Sequence, residues 1–196
     1  MASTRENKTI SQFKSALVGG GARPNLFEVE LTTLPGGISW NSDNFRYMCK
    51  AAALPASNIA SIDVPFRGRI FKVAGDRTFD TWQVTVINDE GFLLRNAFEA
   101  WMEIISKLDN NLGATDPSAY MTNAKVYQLG RGSAVSSQDN TGSANSVLKE
   151  YEFIDIFPTS VSAIDLSYDS SDTIEEFTVE FQVQSYSLTG AGGPNG

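Results

Sequence analysis

Within Ile174–Tyr186 the chain alternates regularly over residues 176–184. Phe177, Val179, Phe181 and Val183 take one face, and Glu176, Thr178, Glu180, Gln182 and Gln184 the other. A period of two belongs to a β-strand, because successive side chains point to opposite faces. Apolar on one side and polar on the other, the segment reads as a long antiparallel strand with one face in a core and one facing water. Asp80–Ile87 repeats the pattern, with Trp82, Val84 and Val86 opposed to Thr81, Gln83 and Thr85. So does Asn25–Thr32, with Phe27, Val29 and Leu31 on one side. Arg69–Ala74, Asn123–Leu129, Val147–Phe157 and Val161–Tyr168 are further strand candidates, and Phe45–Ala51 and Ile59–Phe66 are weaker ones.

One segment breaks the period of two. Leu94, Ala97, Phe98, Trp101, Ile104, Ile105 and Leu108 recur at helical spacing, which predicts one helix over about 89–108 with a wide apolar stripe. Asn88 or Asp89 suits its N-cap, and Asn110, Asn111 and Gly113 its end. Such a stripe packs on a sheet. The expected fold is mainly β, an antiparallel sandwich or barrel with one flanking α-helix.

Composition narrows the alternatives to a plain structural domain. With 41% hydrophobic and 19% charged residues the chain is globular rather than disordered. Residues 1–21 are expected to form an N-terminal extension, 22–188 one domain with a mobile loop at about 130–146, and 189–196 a flexible tail. Fifteen basic against twenty-three acidic side chains give a net charge of −8, opposite to a nucleic-acid-binding footprint. There is no histidine, which removes the commonest general base and metal ligand. The single cysteine, Cys49, cannot form an intrachain disulfide and reads as a small buried strand residue. No apolar run approaches the roughly 18 residues of a membrane span, and residues 1–21 lack the apolar stretch of a signal peptide. The expectation is a chain that folds in a reducing cytoplasm and does not insert in a membrane.

No residue constellation carries catalysis. Glu150 with Glu152, or Glu176 with Glu180, are spaced carboxylates, but the alternation places each pair on the solvated face of a strand. Asp165, Asp169, Asp172, Glu175 and Glu176 lack the spacing and glycine of a calcium loop and read as an acidic turn. No cofactor and no metal are expected. Arg67 and Arg69 flank Gly68 at a turn, and Arg77 follows nearby; in an acidic chain these arginines suit contacts between copies.

Several blocks together resemble one family. Ala22-Arg23-Pro24-Asn25-Leu26-Phe27 opens the domain, and Cys49-Lys50-Ala51-Ala52-Ala53-Leu54-Pro55-Ala56 follows. The longest block runs Val73-Ala74-Gly75-Asp76-Arg77-Thr78-Phe79-Asp80, then Trp82, Val84-Thr85-Val86 and Asn88-Asp89-Glu90; Phe157-Pro158-Thr159 comes later. In this order, over about Ala22–Tyr186, they resemble the tail tube proteins of contractile-tailed bacteriophages. The ends, the 130–146 stretch and a longer Pro35–Asn44 segment depart from the pattern.

The resemblance implies a structural virion protein assembled in the host cytoplasm, not an enzyme. It implies hexameric rings stacked into a tube lined by a continuous β-barrel. Sheath, baseplate and tail terminator proteins would be the partners, with DNA passing through the lumen unbound. Glu176 and Glu180 are then candidates for the lumen wall. Leu54, Pro55, Phe66, Arg67, Arg69 and Arg77 are candidates for contacts between subunits and stacked rings. Two other readings remain open: a tube subunit of a contractile secretion or toxin-delivery machine, and a monomeric β-sandwich binding module using Trp40.

Overall fold

The alternating segment Glu176–Gln182 is a strand, β8, and its neighbours follow from the same pattern. A computed structural model describes residues 9–17, 21–130 and 147–189. In chain order the elements are α1 (Ile10–Ala16), β1 (Phe27–Glu30), α2 (Ser42–Met48), β2 (Cys49–Ala52), β3 (Ser57–Phe66), β4 (Arg69–Phe79), β5 (Trp82–Ile87), α3 (Leu93–Ile105), β6 (Thr122–Leu129), β7 (Val147–Val161), β8 and β9 (Ser185–Thr189). One sheet runs β1-β6-β7-β8-β5-β2, with β9 also on β7; β3 and β4 form a separate two-stranded sheet.

The chain divides into two units. The smaller comprises 1–28, 126–150 and 188–196. Within it, α1 starts at a Thr9–Gln12 capping box, which satisfies two backbone N–H groups at the helix start. Gln128 ties the opening turn by donating to the carbonyls of Arg23 at 2.8 Å and Leu26 at 2.7 Å. The expected loop at 130–146 and tail at 189–196 lie outside the described residues, apart from Gly130 and Thr189.

The larger unit, Val29–Lys125 with Tyr151–Ser187, holds the core. β5 and β8 pair antiparallel, Trp82 opposite Phe181, Val84 opposite Val179 and Val86 opposite Phe177. All six are buried. Against them lies the apolar stripe of α3, where Leu94, Ala97, Phe98 and Trp101 are buried. Phe98 meets Phe181 edge-on at 5.9 Å, and Trp82 packs on Phe153 at 4.8 Å. Tilted and edge-to-face rings suit the aromatic quadrupole, so this cluster gains energy beyond its buried area. Trp101 donates its Nε1–H to the Tyr120 carbonyl at 2.7 Å, satisfying its polar end.

The observed boundaries correct several expectations. α3 spans Leu93–Ile105 rather than 89–108. Asp89 still serves its start, accepting from Leu93 N at 3.1 Å. Residues 89–92 form a turn closed by Phe92 N to the Asp89 carbonyl. Leu108, assigned to the stripe by periodicity, lies past the helix end and is 90% exposed. Within Phe45–Ala51, the weak strand candidate, helix α2 runs to Met48 and β2 begins only at Cys49. Asn41 caps α2 from Oδ1 to the N–H groups of Asp43 and Asn44, a local bond that favours helix entry over extension. The candidates Val147–Phe157 and Val161–Tyr168 resolve into β7 alone, with no strand over 162–168. Pro158 sits at a register shift in β7 opposite Phe181; a bulge tolerates proline because the ladder is already interrupted there. The Ile174–Tyr186 segment breaks at Val183 and Gln184, leaving β8 and β9.

Candidate assembly surfaces

β3 and β4 form a projecting arm. At about 3.3 Å per residue, a ten-residue strand extends roughly 30 Å. The cross-strand register puts Ile62 with Val73 and Val64 with Phe71 on one face. Asp63 and Lys72 occupy the other, joined by an ion pair at 3.0 Å. The apolar face is left in water: Ile62 is 53% exposed, Phe71 67%, and Val64 and Val73 are exposed too. A lone two-stranded hairpin is marginal, and a contiguous exposed apolar face marks an interaction surface.

The arm ends in a two-residue turn. Arg67 has φ 46° and Gly68 φ 80°, the positive pair of a type I′ hairpin turn. Glycine adopts this freely. Arginine does not, and a left-handed non-glycine residue is strained by about 1–2 kcal/mol. Arg67 also lies over the Phe66 ring at 5.5 Å. The tip thus presents Phe66, Arg67 and Arg69 together, all exposed. The sequence grouped these with Leu54, Pro55 and Arg77, and the structure separates the two sets. Leu54 and Pro55 precede β3 at the arm's base. Arg77 sits opposite Ile59, toward that same end and eight residues, or roughly 25 Å, from Arg69.

A second surface is the polar face of β8 and β5. The register pairs Glu180 with Gln83, Thr178 with Thr85 and Glu176 with Ile87. Glu180 accepts from Thr81 Oγ1 at 2.8 Å and Gln83 Nε2 at 3.2 Å. The Gln83 and Thr81 hydrogen bonds hold its carboxyl below the usual carboxylate range. Thr85 and Thr178 share a hydroxyl bond at 3.3 Å. A lysine approaches this face: Lys50 of β2 pairs with Glu176 at 2.5 Å. Both candidates, Glu176 and Glu180, therefore belong to one hydrogen-bonded polar wall.

Two further features bear on binding and chemistry. A cleft of about 630 Å³ is lined by Ile38–Ser42, Asn44 and, from the start of α3, Leu93, Leu94, Asn96 and Ala97, none of them ionisable, so it offers no acid–base pair. Trp40 is an internal anchor. It donates Nε1–H to the Leu31 carbonyl at 2.6 Å and packs against Phe45 at a tilt and Phe98 edge-on. Cys49 is half-buried in β2, and burial pushes its thiol up to about 12, leaving it protonated and a poor nucleophile at neutral pH. Among the described residues no cluster of three metal-binding side chains occurs, and no helix is long and apolar enough to cross a membrane. The acidic run is dispersed: Glu175 accepts from Asn88 at 3.0 Å, while Glu176 goes to Lys50. Sequence periodicity did not flag the arm as a projection, although Pro65 and the Arg-Gly turn mark it as a hairpin.

The family model and the sequence relatives agree on one family, and the solved structures on one fold. A family model described as phage tail tube protein matches residues 22–189. The tail tube protein gp19 of Enterobacteria phage T4 is 40% identical over 161 residues, covering 82% of this chain and 88% of that protein. Its counterpart in Enterobacteria phage T6 is 39% identical over the same shares. Among solved structures, a chain of the anti-feeding prophage baseplate superposes with TM-score 0.61 at 11% identity, covering 88% of this chain and 97% of that one. A chain of the sheath–tube complex of an extracellular contractile injection system gives 0.58 at 12% identity, covering 94% and 100%. At such identities the structural likeness speaks for the fold.

Proposed function

Since this chain belongs to the phage tail tube protein family, we propose that it acts by self-assembly rather than catalysis, its copies closing into hexameric rings that stack as a hollow conduit for the genome. As a tail tube subunit it is a structural component of the virion's contractile tail. The observation that carries the mechanism is the β3–β4 arm, whose apolar face is exposed along its length. A second copy laid on that face removes it from water. Contact between different surfaces of identical subunits builds open, stackable assemblies. Lateral joining falls to the edges of the large sheet, where β1 and β2 end the strand order, because an edge strand can take up a neighbour's strand.

The polar wall of β8 and β5 suits the lumen. Hydroxyls, amides and carboxylates give phosphate no cationic partner, and six copies at −8 each repel it. Glu176 has a particular task here: its ion pair occupies the Lys50 ammonium, which would otherwise form a ring of cations around passing DNA. Sheath, baseplate and tail terminator proteins are the heterologous partners this reading implies.

Negative-stain microscopy of the purified chain is the test. Rods of uniform diameter with an axial channel are expected. Val64→Ser with Phe71→Ser should leave a folded, soluble subunit that makes none. Normal rods from that variant would remove the arm from the mechanism, and a strictly monomeric wild type at high concentration would count against self-assembly as a whole.

A further inference from the structure

The arm needs a receptor, and an apolar groove at the C-terminal half of α3 has the matching chemistry. It measures about 380 Å³ and lies between Met102, Ile105 and Leu108 on one side and Phe157 and Pro158 on the other. Its charged lining residues are Glu99 and Glu103. Glu99 is already engaged by Arg95 Nε at 2.8 Å. Glu103 makes only a long contact to Leu108 N at 3.4 Å, so its carboxylate stands at the rim with capacity to spare. Leu108 at 90% exposure gives the groove an uncovered apolar wall.

We infer that this groove receives the Phe66–Arg69 arm tip of a neighbouring copy, Phe66 entering between Leu108 and Phe157 while Arg67 pairs with Glu103. The inference rests on the reading of the arm as an assembly element and adds the surface it docks on. Charge and apolarity both select this occupant. The groove offers an apolar floor beside a carboxylate, and the tip offers an aromatic ring with a guanidinium 5.5 Å above it. The tip's own residues are exposed, Phe66 by 67%, and none lines the groove of the same chain; the occupant comes from a second copy. Donor tip and acceptor groove are different surfaces, so the contact propagates head to tail without closing on itself. It also gives Arg67 a task at a position where glycine or asparagine would relax the turn.

A charge swap tests it. Glu103→Arg places a cation near the C-terminus of α3, which the helix dipole tolerates, so circular dichroism should show a folded subunit. Arg67→Glu and Glu103→Arg should each lower pelletable rods at least tenfold, and the Arg67→Glu/Glu103→Arg double variant should recover most of them. As a second readout, Phe66→Cys with Leu108→Cys should give an oxidant-dependent ladder of linked subunits. The protonated Cys49 thiol keeps the background low.

The inference is overturned if Glu103→Arg makes rods like the wild type, or if the double variant stays as blocked as Arg67→Glu. In both cases the arm reading survives, because Arg67→Glu alone still blocks growth. Wild-type rods from Arg67→Glu would instead remove the tip's role and with it the docking. Rods that form normally on Glu103→Arg but no longer retain sheath would give the groove to the sheath and equally overturn the inference.

Discussion

Two antiparallel pairs, β5 with β8 and β3 with β4, have the same sequence signature and opposite fates. In the first, Val84, Val86, Phe177, Val179 and Phe181 are buried under α3. In the second, Ile62, Val64, Phe71 and Val73 form an apolar face that is exposed. Alternation states that a face wants covering. It does not state which chain will cover it. The first face is satisfied within one copy and sets subunit stability; under the proposed mechanism the second is satisfied only by another copy and sets assembly.

That contrast breaks most sharply at Phe181. Phe181→Ala removes a ring touching Trp82, Phe98 and Trp101 and is expected to destabilise the subunit by about 3–5 kcal/mol, read from urea unfolding. Phe71→Ala, the same chemistry on the arm, should change subunit stability by less than about 0.5 kcal/mol while abolishing rods. Comparable losses at the two sites would mean that the arm is part of the core.

Backbone strain sharpens the comparison at a smaller scale. Gly36 has φ 72°, and a Cβ there would overlap Ile104 Cδ1 of α3. Gly36→Ala is therefore expected to lower stability by about 1–3 kcal/mol in the thermal transition. Arg67→Asn works in the opposite direction, relaxing the turn by up to about 1 kcal/mol while weakening assembly. A substitution that stabilises the arm and impairs the tube would set tip chemistry apart from tip conformation.

The polar wall gives the smallest effect, and its sign is fixed. Hydrogen bonds from Gln83 and Thr81 hold the Glu180 carboxyl below its ordinary value. That contribution is present above the unfolded carboxylate pKa, about 4.3, and disappears as pH falls through the lower folded value. Between pH 5 and 3, Glu180→Gln should lose slightly less stability than the wild type. Glu176→Gln leaves folding almost unchanged but frees Lys50, and rods of that variant should retain short duplex DNA at low salt, the retention fading as salt is raised.

Legibility followed the range of the interactions. The β8 and β5 faces could be read because period two persists through them, and the α3 stripe because Leu94, Ala97, Phe98 and Trp101 keep helical spacing. Leu108 misled because periodicity does not know where a helix stops. α2 was hidden because Asn41 starts it through a local cap, whereas Phe45–Ala51 viewed by hydrophobicity resembles a strand. The tip residues Phe66, Arg67 and Arg69 could be picked out from an Arg-Gly-Arg turn in an acidic chain. Their separation from Leu54, Pro55 and Arg77 could not, because it depends on the length of a hairpin whose pairing runs on through a bulge between Ile59 and Ser61.

By itself the sequence determined a mainly β subunit with one principal helix, a chain without histidine chemistry, and a family reached through the Gly75–Glu90 block. Those follow from side-chain period and residue identity, which are local. Tertiary structure alone decided that one apolar pair is core and the other an arm, that Glu176 occupies Lys50, and that a groove with a spare carboxylate borders α3. Each of these is a relation between residues distant along the chain, and burial is a property of what lies opposite a face, not of the face.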